Sequence, residues 1–284
     1  MSKPEYLYHY TSIEGLAHIL ESRQIRFSRL DLLDDVTEGQ SQDAVDWRKY
    51  YFVSCWTAEE EESIPLWSMY TPDMMGVRIK LPLSMFKTHI IDHSELPRFI
   101  QLADTSKAPP GAKIQIRCLM PYEKLHGEDY FVMNTCFRDE VWPSKVEYTD
   151  DPTLLNQNLI KYNKETDTTS ISSDEIAKYK KKVWSFQYEW RFKIHCFNAA
   201  PRSLKSKMPN DSYNELMLRE LRNFEKGVSQ EYFFMDLDDL IFDSLEVVLG
   251  PKVDSAHKII VNSLIQNFCS KAKVSPSRLT GQIR

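Results

Sequence analysis

The chain has 284 residues, 42% hydrophobic, 27% charged and 12% aromatic, a composition that excludes whole-chain disorder and supports a sizeable core. Its 36 Lys and Arg against 41 Asp and Glu leave a net charge of −5, so no global basic field is available to hold a nucleic-acid backbone, although a local basic groove stays open. The 8 glycines include no G-x-G-x-x-G or Walker spacing, which leaves Rossmann, P-loop and kinase readings without support.

Five cysteines, widely spaced and without a C-x-x-C pair, read as reduced, mostly buried thiols of a cytosolic protein. No apolar run approaches the roughly 18 residues of a membrane helix, and the first residues lack a basic segment followed by an apolar one. The expectation is a soluble, cytoplasmic chain with no membrane partner, organised as one domain over residues 1–284.

The first predicted element is an aromatic strand over Tyr6–Tyr10. It runs into Thr11-Ser12-Ile13-Glu14, where Thr11 and Glu14 read as a capping box that starts a helix carrying Leu16, Ile19 and Leu20 inward. His9 then stands at a strand end just before a helix. A short strand over Gln24–Ser28 precedes the acidic segment Leu32–Gly39, in which Asp35 and Glu38 have no legible role. Next come a strand over Tyr50–Trp56, a helix over Ser63–Tyr70 with Pro65 in its first turn, and a strand over Val77–Leu81.

Lys113–Leu119, Tyr130–Asn134 and Ser144–Tyr148 make the middle of the chain β-rich, and the polar stretch at about 150–173 reads as a surface insertion. Ser172 with Glu175 forms a second capping box, predicting a helix through Trp184 with Ile176, Tyr179, Val183 and Trp184 inward and Lys178, Lys180, Lys181 and Lys182 in solvent. The most regular strand, Glu189–Cys196, alternates with period two: Trp190, Phe192, Ile194 and Cys196 on one face, Glu189, Arg191, Lys193 and His195 on the other. The first face is core; the second is open or lines a cleft. A charged helix over Asp211–Lys226, strands over Tyr232–Met235 and Leu245–Leu249, and a helix over Asp254–Cys269 complete the chain.

His89-Ile90-Ile91-Asp92-His93 places two histidines at i, i+4, a metal-ligand spacing on a helix. The two isoleucines favour a strand, and no third ligand declares itself, so a metal hydrolase ranks last. Cys55 precedes Glu59–Glu62, the opposite of the electropositive setting that activates a thiol.

Taken together, Leu7-Tyr8-His9-Tyr10-Thr11, Leu33-Asp34-Asp35-Val36-Thr37-Glu38, Val53-Ser54-Cys55-Trp56, Leu66-Trp67-Ser68-Met69-Tyr70 with Gly76-Val77, Trp184 with Tyr188-Glu189-Trp190-Arg191, and Val248-Leu249-Gly250-Pro251 resemble a widespread bacterial family of uncharacterised proteins with YHYT, WSxY and EWR motifs. That pattern in turn is similar to the core of the ADP-ribosyltransferase superfamily, in its His-Tyr-Glu division. The resemblance implies an α+β fold with an ADP-ribosyltransferase-like split β core and flanking helices, and NAD as a substrate that is consumed.

In such enzymes a strand-end His holds the adenosine ribose of NAD, a helix-borne Tyr stacks on nicotinamide, and a Glu opening a later strand engages the nicotinamide ribose. Carried over, these are His9, Tyr70 and the catalytic Glu189. Thr11, Ser54 and Trp67 fall beside them, with Trp67 an alternative stacking ring and Arg191 a candidate for the diphosphate. The residue types suit the chemistry: a cationic nicotinamide is attracted to an electron-rich ring face, and a carboxylate stabilises the oxocarbenium character that develops as the glycosidic bond breaks. Two residues before Glu189, where protein-modifying transferases often carry a second acid, stands Gln187.

The expected function is an NAD-dependent ADP-ribosyltransferase acting on an unknown macromolecular acceptor, protein or nucleic acid, in the manner of a toxin or phage-defence effector. The alternative is a non-catalytic module that recognises a nucleotide or a partner protein on the same core. Lys178–Lys182 together with Arg191, Lys193 and His195 would, if turned toward the cleft, form a positive funnel for a polyanionic acceptor; otherwise they are a solvated face.

Overall fold

A computed structural model describes residues 3–97, 113–133, 135 and 143–283. Its first elements are β1 (Tyr6–Thr11), α1 (Ile13–Ser22), β2 (Gln24–Arg29), β3 (Tyr51–Thr57), α2 (Ile64–Tyr70) and β4 (Val77–Pro82). There follow β5 (His89–Asp92), β6 (Gln115–Cys118), α3 (Tyr122–Leu125), β7 (Tyr130–Val132), β8 (Ser144–Lys145), β9 (Glu147–Thr149), α4 (Pro152–Leu155), β10 (Ile160–Asn163), β11 (Thr168–Ile171) and β12 (Tyr179–Lys181). The last are β13 (Glu189–Asn198), α5 (Asn210–Leu221), β14 (Tyr232–Asp236), β15 (Glu246–Leu249), α6 (Ser255–Phe268) and β16 (Lys273–Pro276). The architecture is mixed α and β around one large mixed sheet, compatible with the α+β expectation.

The sheet runs β14-β2-β3-β1-β4-β15-β16, with β13 paired to β3 and extended by β7 and β8. Strand β3 is the hinge of this arrangement. β13 occupies one of its edges from Tyr51 to Thr57, so β2 and β1 share the other: β2 at Phe52 and Val53, β1 at Thr57. Where they part, the Cys55 carbonyl has no strand to pair with and accepts a hydrogen bond from His9 Nδ1 at 2.9 Å. A side chain thus satisfies a ladder position that the split leaves open.

Helix α2 bridges β3 and β4. Ser63 caps it, with Oγ accepting from Leu66 N at 3.4 Å, and Pro65 lies in the first turn, where its missing N–H costs nothing. It buries Leu66 and Trp67 against Tyr10. The strands next to it meet at close quarters: a Cβ at Gly76 would lie 2.3 Å from the Thr11 carbonyl, and one at Gly250 would lie 2.2 Å from that of Met74. Only glycine admits this approach.

Three expectations are corrected. The cap of α1 is Ser12, whose Oγ accepts from Gly15 N at 2.9 Å; Thr11 is held in the ladder opposite Val77, so the helix cannot begin until the strand lets go. Residues 172–184 do not form a helix. Ser173–Glu175 and Lys182–Gln187 are 3-10 turns on either side of β12, which pairs in parallel with β9, and Ala177 at φ 58° is incompatible with helix continuation. Finally, of the polar face of β13, expected to be open or to line a cleft, Glu189 does line one, but Arg191 and Lys193 are buried and do neither. Strand β16, parallel to β15, was not legible from the sequence.

The stretch at 150–173 carries α4 and the exposed hairpin β10–β11. Cys118, Cys196 and Cys269 are buried free thiols and Cys55 is half-buried, while Cys136 lies outside the described residues. Among the described residues no helix is long and apolar enough to cross a membrane.

Candidate functional site

A cleft of about 400 Å³, counting the space open to solvent, lies where the ends of β1, β3 and β13 meet α2. Tyr8, His9 and Tyr10 line it from β1, Cys55, Trp56 and Thr57 from β3, Leu66 and Tyr70 from α2, and Gln187 and Glu189 from the start of β13. His9, Tyr70 and Glu189, distant in sequence, therefore share one concave wall.

The state of His9 follows from its partner. A carbonyl only accepts, so the bond to Cys55 places the proton on Nδ1 and leaves Nε2 as an acceptor. Burial lowers its pKa and outweighs the opposing backbone bond, so the ring is neutral near pH 7. Trp56 packs beside it, ring centroids 5.0 Å apart.

Tyr70 is oriented through Gln187. Lys180 Nζ, which only donates, lies 2.8 Å from Gln187 Oε1; the other end of that amide must then be the NH₂, which donates to Tyr70 Oη at 2.7 Å. The phenol accepts there and keeps its own proton free to donate. Burial, followed by the nearby Cys55 and Glu189, pushes its pKa far above the ordinary phenol value.

Glu189 stands in a buried quartet of two carboxylates and two cations. Arg191 binds it through two nitrogens, Nε to Oε1 and Nη2 to Oε2 at 3.0 Å, and turns Nη1 to Glu38 Oε1 and to the Ala177 carbonyl at 3.1 Å. Lys180 Nζ lies 3.2 Å from Glu189 Oε2 and 3.3 Å from Glu38 Oε2. The side chains of Arg191 and Glu38 are 0% exposed, and those of Glu189 and Lys180 only 5% and 7%. Burial alone would raise the Glu189 pKa; Arg191 and Lys180 more than offset it, and the carboxylate is held ionised below its usual range. Charge balance and close ion pairing are what make such burial tolerable, although Glu38 Oε2 meets Lys180 only as an ion pair and accepts no hydrogen bond. The backbone at Glu189 is fixed as well, its N–H donating to Tyr148 Oη at 2.9 Å. Cys55, beside Glu189, has its thiol pushed well up by burial and then by that carboxylate, so it carries no nucleophilic thiolate.

The remaining expected site residues are placed elsewhere. Trp67 is 0% exposed, edge-on to Tyr10 at 4.8 Å, with Nε1 donating to Glu62 at 3.0 Å; it has no free face to stack on a ligand. Ser54 is buried and accepts from Trp56 Nε1 at 3.0 Å, orienting that ring. Thr11 ends β1 and does not line the cleft. Arg191 is committed to two carboxylates and a carbonyl, and does not reach out for a diphosphate.

Most of the lysine cluster is engaged away from the cleft, and Lys181 is exposed. Lys178 pairs with Glu175 at 3.2 Å, Lys182 with Asp150 at 3.6 Å, Lys180 is in the quartet, and Lys193 Nζ donates to the Asp174 and Ile176 carbonyls. His89 lies on strand β5, where i, i+4 residues are far apart, with Nε2 3.1 Å from Asp236. Among the described residues no three His, Cys, Asp or Glu side chains are arranged to hold a metal ion.

Sequence reasoning missed Lys180 and Gln187 as site residues and left Glu38 without a role. The acidic D-x-x-E motif was the available signal for Glu38, but nothing in it names Arg191 as partner. Comparison of the chain with protein-family models, with curated proteins and with solved structures found no match.

Proposed function

We propose that the cleft binds NAD and transfers its ADP-ribose to a macromolecular acceptor, the chemistry of the His-Tyr-Glu division of ADP-ribosyltransferases. One observation carries the reading: His9, Tyr70 and Glu189, the residues that the motif resemblance singles out, line the same cleft. In this reading the neutral His9 accepts a ribose hydroxyl proton at Nε2, and the Tyr70 ring stacks on the nicotinamide. Glu189 accepts a hydrogen bond from the nicotinamide ribose and stabilises positive charge as the C1′–N bond breaks. Nicotinamide departs with the bonding electron pair, the acceptor attacks C1′, and the acceptor's proton passes to solvent. Lys180 and Arg191 keep Glu189 ionised and oriented.

A second reading has its own support. Both oxygens of Glu189 already receive hydrogen bonds from cations, an arrangement suited to a nucleotide-binding module without turnover. Calorimetric titration of NAD and an assay of nicotinamide release, on the wild type and on Glu189→Gln, separate the two. The transferase predicts release that falls at least about 100-fold in the variant. NAD binding without release in the wild type would favour the binding module. No NAD binding at millimolar concentration would remove both forms of the NAD reading.

A further inference from the structure

We infer that Arg78 is an anion-binding residue at the β4 side of the cleft, placed to take a phosphate or diphosphate group. For the rest of the ligand the inference rests on the function proposed above; for the anion it stands on its own geometry.

Register puts Arg78 on the face of the sheet that carries Glu189. It lies opposite Tyr10, Lys80 lies opposite Tyr8, Tyr8 lies opposite Thr57, and Thr57 lies opposite Glu189. Directly paired residues share a face, so one continuous strip runs from Arg78 across Tyr10 and Tyr8 to Glu189. It crosses three strand spacings, roughly 14 Å, a span suited to a ligand whose reacting end is at Glu189 and whose charged middle lies toward β4.

Arg78 is buried, 6% exposed, does not itself line the cleft but packs against Tyr8 and Tyr10, which do, and forms no ion pair within 4.0 Å among the described residues. Nη1 donates to the Glu60 carbonyl at 2.8 Å. The rings of Tyr8 and Tyr10, both lining the cleft, lie 4.6 Å and 5.9 Å from its central carbon. Its Nε–H is buried without any acceptor. A role confined to pinning the 59–62 loop accounts for Nη1 and leaves the unmatched charge and the orphaned Nε unexplained. A buried cation that has one carbonyl, a hydrogen bond to the Tyr10 side chain and two ring faces, but no carboxylate in contact, is costly, and a phosphate oxygen at Nε would supply the missing acceptor and a directly paired negative charge. Lys80, two residues on and on the same face, adds a second positive charge that Glu246 engages at 3.3 Å.

Titrating inorganic pyrophosphate and ADP into the wild type, Arg78→Met and Arg78→Lys tests this, with thermal unfolding as the check on folding. The wild type should bind both at low salt. Arg78→Met should weaken both by about 10- to 100-fold, and Arg78→Lys should fall between, since it keeps the charge and loses the fork. No binding of pyrophosphate to the wild type, or equal affinity in wild type and Arg78→Met, overturns the inference. If Arg78→Met does not fold, unchanged pyrophosphate affinity in Arg78→Lys overturns it instead. The two proposals fail separately: pyrophosphate binding that needs Arg78 in a protein releasing no nicotinamide keeps the anion site and sinks the transferase. Nicotinamide release with the KM for NAD unmoved in Arg78→Met does the reverse.

Discussion

Arg191 and Arg78 are both buried arginines on the same face of one sheet, three strands apart, and their surroundings are opposite. Arg191 is 0% exposed and meets Glu189, Glu38 and the Ala177 carbonyl. Arg78 meets one carbonyl, the Tyr10 side chain through a hydrogen bond, and two tyrosine rings. The first is electrostatically complete within the chain, and the second is not. Burial and residue type therefore do not identify a ligand-binding arginine; the unfilled valence does. The same contrast separates two histidines. His126 is 0% exposed and both of its ring nitrogens are engaged, by Tyr122 on one side and by Ala200 and Tyr213 on the other, whereas His9 uses Nδ1 on Cys55 and lines the cleft.

The largest expected effect comes from breaking the complete end. Arg191→Met strands two buried carboxylates with only Lys180 between them and should cost about 3–5 kcal/mol, whereas Arg78→Met, which breaks hydrogen bonds to the Glu60 carbonyl and the Tyr10 side chain but no ion pair, should cost about 1–2 kcal/mol. Urea unfolding of both variants measures the difference. Equal costs would show that the quartet is not the electrostatic anchor described here.

Acid sharpens the comparison, because only the Arg191 end has titrating partners. Arg191 and then Lys180 more than offset burial and hold the Glu189 carboxyl well below its ordinary range, so its contribution is fully present above the unfolded value and is lost as the pH falls below about 4.5. An earlier loss comes from His195, which burial and then Lys193 lower to about 3 from 6.5: below 6.5 the unfolded chain takes up a proton that the folded one refuses, and stability falls. His195→Gln should lessen the decline between about 6.5 and 4.5, the rest of which belongs to His9, His89 and His126, whose pKa values burial also lowers, and leave the lower limb in place. Chemical unfolding measured across that range should show two limbs in the wild type; a single limb in both proteins would contradict the assignment.

The smallest effect belongs to the surface. Lys182→Gln removes an ion pair to Asp150 in which both side chains are 64% exposed, and should change stability by less than about 0.5 kcal/mol. It should leave NAD and pyrophosphate affinity unmoved. A tenfold loss of either ligand would restore the lysine cluster as part of the site.

Glu189 shows how far the sequence could be read. Its place at the head of an alternating strand was legible from period two, and so was the polar face it shares with Arg191. What the strand pattern does not carry is that the Glu189 side chain is one of four buried charges that balance as a set. Lys180 shows the limit from the other side: counted along a helix it falls on the wet face, but its segment is held as a strand beside β9, which turns its ammonium inward.

The sequence by itself determined the elements whose signals are local: the strands β1, β3, β4 and β13, and the Ser63 and Asp254 helix starts. Periodicity, capping and turn chemistry act over a few residues, so a short window contains their cause. Only the tertiary structure decided which charges meet. Glu38 joins Arg191 across more than 150 residues of chain, and His9 bonds to Cys55 because β1 and β2 part along the same edge of β3. Pairing of this kind is set by strand order and register, and the strength of each charge depends on what water is excluded around it; neither is written in the residues on either side.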